Sequence, residues 1–295
     1  MWEIITEPFS YPLDPAKRIY WVCLFSALIL ASIAVTLRSG RFEWRSQIRA
    51  LFSLSYWLRR STAEDIGWMF VNNAIRGFVL VPLIGTHIVA TLLIGRFLQR
   101  HVGDAPELYF SPWFIAFAFT FVFFVLEDLS RFLLHLGMHR SRALWYFHRV
   151  HHSATNLTPL TLFRVHPVES VLYFVRSFTV FGLVSGVFVW LFGSQLSGWD
   201  ILGVDLFGFL FNALGANLRH TPVWLTFGYL ERWFISPVQH QLHHSVKHGH
   251  CNLGACLSVW DRVYGTHQRS GAYRTLRFGL DSESVESAVP AVRTA

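Results

Sequence analysis

The sequence predicts an all-α fold: a polytopic bundle of membrane-spanning helices, with about four to five spans and a cytoplasmic helical cap that carries clustered histidines. Three observations lead to this class. The 295-residue chain is 53% hydrophobic and only 15% charged, whereas soluble domains are charged at about a quarter of their positions. Several apolar runs reach the length of about 20 residues that a membrane-spanning helix needs. Eight of the 15 histidines fall in three short groups near the ends of these runs.

Five spans are predicted in chain order, at residues 19–37, about 68–95, about 113–134, 171–192 and 202–218. The segment after the first span is strongly basic, with Glu43 as its one acidic residue and six arginines: Arg38, Arg41, Arg45, Arg49, Arg59 and Arg60. Such segments stay in the cytoplasm, which puts the N-terminus outside. The text RFEWRSQIRALFSLSYWLRR also predicts an amphipathic helix at the membrane surface. Five crossings then place every histidine group on the cytoplasmic side.

The chain divides into three predicted parts. Residues 1–112 form an N-terminal membrane region with two spans and the Arg-rich loop, residues 113–268 carry the histidines, and residues 269–295 form a polar C-terminal tail. No cleavable signal peptide is predicted, because polar residues precede the first apolar run. The net charge of +7 comes without a nucleic-acid motif, so we expect the basic residues to face the membrane surface and exclude nucleic acid as a partner.

Three histidine motifs carry the chemistry. They are one HxxxH motif and two HxxHH motifs, formed by His135 and His139, by His148, His151 and His152, and by His240, His243 and His244. Positions three and four residues apart share one face of a helix, so each motif directs its imidazoles to one side. Neutral imidazole is a ligand for iron and zinc. Eight imidazoles are too many for one tetrahedral zinc and suit two metal ions.

Two further polar residues are candidates for supporting roles. Asp128 lies seven residues before His135 on the same helical face, inside a span where carboxylates are costly. It either accepts a hydrogen bond from an imidazole or pairs with Arg131 at i,i+3. Asn217 either bonds to a ligand or metal, or caps a helix end.

The sequence around the histidine motifs resembles the fatty acid hydroxylase and sterol desaturase superfamily of integral membrane di-iron oxygenases. The matching segments, within about residues 114–268, are LEDLSRFLLHLGMHR, LWYFHRVHHS, FRVHPVES, ISPVQHQLHHS and NLGACLSVWDRVYGT. The resemblance implies a centre of two non-haem irons held by these histidines, with O2 as co-substrate. It adds His220 as a ninth ligand, although Gly215 stands where many relatives have a further histidine. It also implies a supporting role for His166 and Glu169, and it favours a functional role for Asp128.

The resemblance implies a membrane-bound monooxygenase that hydroxylates a C–H bond of a fatty acyl lipid, a sterol or a related lipid. A desaturase with the same centre is the alternative. Outside this class stand a metal-binding transporter and a zinc hydrolase. The histidines lie near span ends rather than at the midplane, which disfavours a transporter. No HExxH motif is present, which disfavours a zinc hydrolase.

The expected partners are a membrane lipid as substrate and a separate electron donor. The sequence has no dinucleotide-binding glycine motif, haem-binding domain or Cys-rich iron–sulfur signature. A ferredoxin, a cytochrome or a flavin reductase is therefore expected to supply electrons. We expect an integral multi-pass protein of a bacterial inner membrane, or of the endoplasmic reticulum if the source is eukaryotic.

Overall fold

Helices make up the fold throughout the part of the chain that the structure describes, residues 2–42, 44–193 and 206–280 of a computed structural model. The α-helices are α1 (Trp2–Ser10), α2 (Trp21–Ser39), α3 (Trp44–Leu51), α4 (Leu54–Trp57), α5 (Arg60–Ile75), α6 (Val81–Ile84), α7 (His87–His101), α8 (Pro112–Arg140), α9 (Arg142–His152), α10 (Pro167–Phe192), α11 (Leu206–Ala213), α12 (Pro237–His244) and α13 (Val259–Tyr264). Short 3₁₀ turns occur at Tyr11–Leu13, Pro159–Phe163, Ala216–His220 and Gly228–Arg232. The predicted all-α class is confirmed.

Four helical segments among the described residues are long and apolar enough to cross a membrane: Trp21–Ser39, Arg60–His101, Pro112–Arg140 and Pro167–Phe192. They overlap the first four predicted spans. The second is longer than predicted, at 42 residues, because it begins at Arg60 and ends at His101. It includes a π-helical turn at Arg76–Leu80. Its one sharp break is at Gly85, whose φ of +98° suits glycine and ends α6 before α7 begins.

The fifth predicted span, residues 202–218, is only partly described, because residues 194–205 lie outside the described ranges. Its described part is α11, of eight residues, followed by the turn Ala216–His220. This is shorter than a membrane-spanning helix. Helix α11 lies beside α8, where the rings of Phe207 and Phe124 are 5.2 Å apart.

Helices α7 and α10 pack closely and run parallel. Gly182 of α10 lies against Ala90 of α7, and Gly186 lies against Ile94 one turn further along both helices. Small residues at these positions let the two backbones approach, which is the usual way that helices associate within a membrane.

Helix α8 runs antiparallel to α10 and completes this core. The rings of Phe119 and Phe188 are 5.4 Å apart. Two turns of α8 later, Glu127 bonds to Arg176, which lies earlier on α10. The end of α8 and the start of α10 therefore meet at one end of the bundle, which we call the histidine end.

Polar caps fix where the histidine-bearing helices begin. Ser111 and Ser141 accept backbone N–H groups at the starts of α8 and α9. Ser236 and Gln239 form a reciprocal capping box at the start of α12. Each cap satisfies donors that the helix itself leaves unpaired, and so fixes the register in which the histidines project.

The Arg-rich segment between the first two spans packs at the histidine end. The hydroxyl of Tyr56, on α4, donates to the Leu157 carbonyl at 2.7 Å, and Asn156 donates to the Tyr56 carbonyl at 3.0 Å. The amphipathic helix predicted in this segment corresponds to α3, in which Trp44 and Ile48 are exposed.

Candidate metal centre

Nine histidines gather at the histidine end in two adjacent groups. The first group, which we call group A, contains His135, His139, His148, His152 and His243, and the second, group B, contains His151, His220, His240 and His244. Within each group, every residue offers one ring nitrogen that lies within 4.8 Å of all the others. The structure thus brings together all the histidines of the three motifs and His220.

The ring nitrogens point at one another at distances typical of a coordination shell. In group A, the Nε2 atom of His135 is 3.1 Å from Nε2 of both His148 and His243. In group B, Nε2 of His220 is 3.1 Å from Nε2 of both His240 and His244. Nitrogens that each lie about 2.1 Å from one metal ion would be separated by about 3.0–3.4 Å. The spacing therefore fits two metal ions, one for each group.

Two buried nitrogens support this fit. The Nε2 atoms of His139 and His152 are buried and have no hydrogen-bond partner in the described structure. An unpaired buried polar atom is unfavourable unless something binds it. Both atoms belong to group A, so a metal ion in that group would satisfy them.

Hydrogen bonds on the outer side of the rings orient the imidazoles. His135 donates from Nδ1 to the Leu253 carbonyl at 2.7 Å, and His243 donates to the Cys251 carbonyl at 3.0 Å. His151 donates in the same way to the Arg164 carbonyl at 3.1 Å. A proton held on Nδ1 leaves the Nε2 lone pair directed into the group, which is the tautomer that a metal ligand needs.

Among the described residues, Glu169 is the one carboxylate that accepts a hydrogen bond from an imidazole of either group. Its Oε1 lies 2.9 Å from Nδ1 of His148, and both side chains are 2% exposed. Glu169 lies in the first turn of α10, so the start of that helix orients a histidine of α9. The supporting role that the resemblance implies for Glu169 stays a prediction.

Burial keeps the imidazoles neutral. It lowers the pKa of both His148 and His151 to about 3. It also lowers the pKa of His152, His220, His240, His243 and His244 well below the ordinary range. At pH 7 these rings are therefore unprotonated and free to bind metal.

The two groups share their supporting helices. Adjacent residues of α9, His151 and His152, belong to different groups, and so do His243 and His244 of α12. The rings of His152 and His244 are 4.7 Å apart between their centroids. Helices α9 and α12 thus each contribute ligands to both groups, which places the groups side by side.

Asp128 does not bond directly to an imidazole, and this corrects the sequence-based expectation. Its carboxylate accepts the backbone N–H groups of Cys256 and Leu257 at 2.7 and 3.0 Å and the indole N–H of Trp260 at 2.9 Å. Seven residues of helix separate it from His135 by about 10 Å along the axis, which is too far for a hydrogen bond. Asp128 instead holds the loop whose Leu253 carbonyl orients His135.

The alternative pairing of Asp128 with Arg131 is also absent from the described ion pairs. Arg131 bonds to Glu127 at 2.8 Å, and Glu127 also bonds to Arg176. Arg131 therefore pairs with Glu127, four residues earlier on α8, and Asp128 bonds only to the loop at Cys256 and Leu257 and to Trp260 among the described contacts.

His166 and Asn217 lie beside the histidine groups without a described contact to them. His166 caps α10 by accepting the Val168 N–H at 3.1 Å, so it helps to place Glu169. Asn217 donates to the Arg18 carbonyl at 2.8 Å, while its Oδ1 has no partner among the described residues. Gly215 has a φ of +107°, so a histidine there would be strained.

Arg164 is a supporting residue that sequence reasoning missed. Its side chain is 2% exposed and bonds to Asp65 at 2.6 Å and to Glu64 at 3.0 Å, both on α5. Its carbonyl accepts from His151. The arginine therefore ties group B to the start of α5. Its position in the segment FRVHPVES, beside His166, was the only sequence signal.

The fold and the site together define a class: a membrane-embedded helical bundle with two adjacent all-histidine groups at one end that could each hold a metal ion. The fatty acid hydroxylase family matches residues 120–266, a segment that contains both groups. Residues 120–266 are therefore a fatty acid hydroxylase domain, and the chain belongs to the fatty acid hydroxylase and sterol desaturase superfamily.

Several characterised proteins are similar to the chain. The ornithine lipid hydroxylase of Rhizobium tropici is 27% identical over 71% of this chain and 59% of its own length. A very-long-chain aldehyde decarbonylase of Oryza sativa subsp. indica is 24% identical over 76% of this chain and 81% of its own length. A Δ7-sterol 5(6)-desaturase of Gibberella zeae is 28% identical over 68% of this chain and 58% of its own length. No solved structure matches the chain with comparable significance.

Proposed function

We propose that groups A and B each hold one iron and that the chain uses O2 to hydroxylate a C–H bond of a membrane lipid. The observation that carries this proposal is the pair of adjacent all-histidine groups at one end of span-length helices. When bound, the irons supply the reduction of O2 and the oxidation of the C–H bond. The protein supplies the oriented imidazoles and a site from which water is largely excluded.

Iron fits group A better than structural zinc does. Group A offers five imidazoles, whereas structural zinc sites are tetrahedral and closed by four ligands, usually with cysteines among them. The nearest cysteine to a group A ligand in sequence, Cys251, uses its thiol to donate to the His248 carbonyl, and burial raises its pKa to about 12. A neutral thiol is a poor metal ligand.

The lipid substrate is supported by the position of the site and by the relatives. Both groups lie where α8 ends and α10 begins, so an apolar chain in the bilayer can approach along these helices. The names of the relatives include a lipid hydroxylase and a sterol desaturase. Fatty acyl lipids, sterols and related lipids are the substrate classes that we propose to test.

We propose that the histidine end faces the cytoplasm of a bacterial cell. The Arg-rich segment packs at that end, through the contacts of Tyr56 with residues 156 and 157. Segments rich in arginine remain on the cytoplasmic side. A separate ferredoxin, cytochrome or flavin reductase would deliver electrons to this side.

The test compares the lipids of cells that express the chain under isotopically labelled O2. The inactive variant is His243→Ala with His244→Ala, which removes one ligand from each group. The matched control is His101→Ala, which removes an exposed histidine at the end of α7. A lipid that gains one labelled oxygen with the intact chain and with the control, but not with the double variant, is the expected result.

The other outcomes identify the alternatives. Loss of two hydrogens without label would make the chain a desaturase. No lipid change, although the purified chain contains iron and a reductant is supplied, would contradict the lipid-oxidation proposal. Zinc in place of iron, or no metal, would favour a hydrolase or a transporter. The expected metal content is about two irons per chain.

A further inference from the structure

A cavity of about 420 Å³ lies between α8, α11, residues 15–18 and residues 255–256. Its lining includes four phenylalanines, Phe123 and Phe124 on α8 and Phe209 and Phe211 on α11, together with the charged residues Glu127, Asp128 and Arg131. It also contains the side chain of Arg18, so we call it the Arg18 cavity. The combination of apolar walls and a cation suits an amphiphile rather than a purely apolar molecule.

Arg18 has no described acidic partner. Its guanidinium lies 5.6 Å from the ring of Phe211, and no carboxylate forms an ion pair with it among the described residues. Burial lowers the pKa of Arg18 to about 9, and the nearby charges of Arg131 and Arg219 act in the same direction. Arg18 keeps part of its side chain exposed, and an anion beside it would form charge-assisted hydrogen bonds with the guanidinium.

The two carboxylates at the cavity wall are already occupied. Glu127 accepts from both Arg131 and Arg176, at 2.7–3.0 Å. Asp128 accepts from two backbone N–H groups and from Trp260. Neither carboxylate forms an ion pair with Arg18 among the described residues.

Asn212 adds a second polar group at the same wall. Its side chain lines the cavity, and its Oδ1 is buried without a hydrogen-bond partner in the described part of the chain. Oδ1 only accepts, so it would need an O–H on the head group, whereas the amide N–H of Asn212 can donate to an anionic oxygen beside Arg18.

The cavity is connected to the metal groups through one loop. Cys256 lies in its wall, and the backbone N–H of Cys256 bonds to Asp128. Leu253, three residues earlier, orients His135 through its carbonyl. An occupant of the cavity therefore lies next to the loop that supports group A.

We propose that the Arg18 cavity binds the carboxylate or phosphate of an anionic single-chain lipid, with the lipid chain against Phe123, Phe124 and Phe209. This rests on the proposed function in one respect, namely that this lipid is the substrate. The anion would pair with Arg18, and Asn212 would donate to it. Charge-assisted hydrogen bonds of this kind are the strong ones.

The test measures equilibrium binding of tritiated oleate to the purified full chain in neutral detergent, without O2 or reductant. Oleyl phosphate, oleyl alcohol and inorganic phosphate serve as competitors. Oleyl phosphate should displace oleate, whereas oleyl alcohol and inorganic phosphate should not. The variant Arg18→Gln should weaken oleate binding at least about tenfold, and Arg18→Lys should retain part of the affinity because it keeps the charge.

Arg41→Gln is the matched control, since Arg41 is an exposed arginine of the same N-terminal region, and it should bind oleate like the wild type. Thermal unfolding without lipid separates binding from folding: removal of an unpaired cation should leave the melting temperature unchanged or raise it. Unchanged oleate binding by Arg18→Gln, or equal binding of oleyl alcohol, would overturn the proposal. Displacement by inorganic phosphate alone would indicate a site for free anions instead.

The two proposals fail in different ways. If labelled oxygen enters a lipid but Arg18→Gln binds oleate normally, the cavity proposal alone is wrong. If oleate binding depends on Arg18 but no lipid is oxidised, the proposed function is wrong and the binding site stands. If both hold, Arg18→Gln should raise KM for an anionic lipid far more than it lowers kcat.

Discussion

Glu169 bonds directly to one of the candidate ligands, so its effect on the metal can be tested at the level of a single residue. Glu169→Ala removes the acceptor of His148 Nδ1 and should weaken metal binding about 10–100-fold. The metal affinity of Glu169→Gln should fall between those of the wild type and Glu169→Ala, because the amide oxygen of glutamine can still accept the hydrogen bond from His148. Iron affinity, measured by competition with a chelator, checks both.

The matched control for this prediction is Glu107→Gln, which changes an exposed glutamate in the loop before α8. It should leave iron affinity as in the wild type. Equal affinities for wild type and Glu169→Ala would show that the contact at 2.9 Å does not orient His148 for metal binding.

Individual residues also show what the sequence could and could not predict. Histidine spacing indicated every member of the two HxxHH motifs and the HxxxH motif, because periodicity on a helix is visible in sequence. Backbone acceptors are not visible in sequence, because every residue has a carbonyl. The carbonyls of Cys251 and Leu253 orient His243 and His135, and no sequence pattern indicated this. Asp128 was on the expected face but bonds across 128 residues to Cys256, a contact that spacing cannot reveal.

At the scale of elements, the close parallel packing of α7 and α10 depends on glycines of α10, which have no side chain to hold the backbones apart. A Cβ added to Gly186 would lie 2.5 Å from Cβ of Ile94 and 3.1 Å from the Thr91 carbonyl oxygen. Gly186→Ala should therefore force the helices apart and destabilise the protein by about 1–3 kcal/mol. Thermal unfolding in detergent measures the loss.

Gly67→Ala provides the control for this prediction. Gly67 is a helical residue of α5, and a Cβ there would meet no atom within 4 Å. Alanine has the higher helix propensity, so this variant should be unchanged or stabilised by up to about 1 kcal/mol. A similar melting temperature for both variants would mean that close packing at Gly186 is unimportant.

Element boundaries were harder to predict than element types. The first four spans follow from hydropathy, but the second helical segment, Arg60–His101, extends beyond 68–95 at both ends. Its added N-terminal part contains the buried Asp65, which accepts from Arg164, 99 positions later in the chain. Such a partner lies far away in sequence. The predicted polar tail likewise begins with described contacts, since Val246 donates to the Arg277 carbonyl at 3.0 Å, whereas residues 281–295 lie outside the described ranges.

For the whole molecule, the buried imidazoles predict how stability depends on pH. The folded pKa of His148 and His151 is about 3, below the ordinary value of 6.5. Between these values the unfolded chain binds more protons, so stability is fully present above about pH 6.5 and is lost as the pH falls towards 3. At pH 5 each of these histidines should account for a loss of about 2 kcal/mol.

The measurement is the melting temperature of metal-free protein from pH 7.5 to 5, followed by circular dichroism. It should fall steadily below about pH 6.5. Protein loaded with iron should resist acid to a lower pH, because protons must then compete with the metal for the same nitrogens. A constant melting temperature across this range in the metal-free protein would contradict the buried neutral state of these rings.

The bend at Asn252 has a consequence for how this protein can vary in evolution. Asn252 has a left-handed backbone, with a φ of +54°, and the carbonyls on either side of it, at Cys251 and Leu253, orient histidines of group A. Main-chain oxygens are the same for any amino acid, so position 251 can change its side chain without turning an imidazole, whereas the Leu253 side chain is also held in the core beside Phe132 and Leu136. Insertion or deletion of one residue would rotate both carbonyls away. Natural variants of this loop are therefore expected to differ in composition while keeping its length.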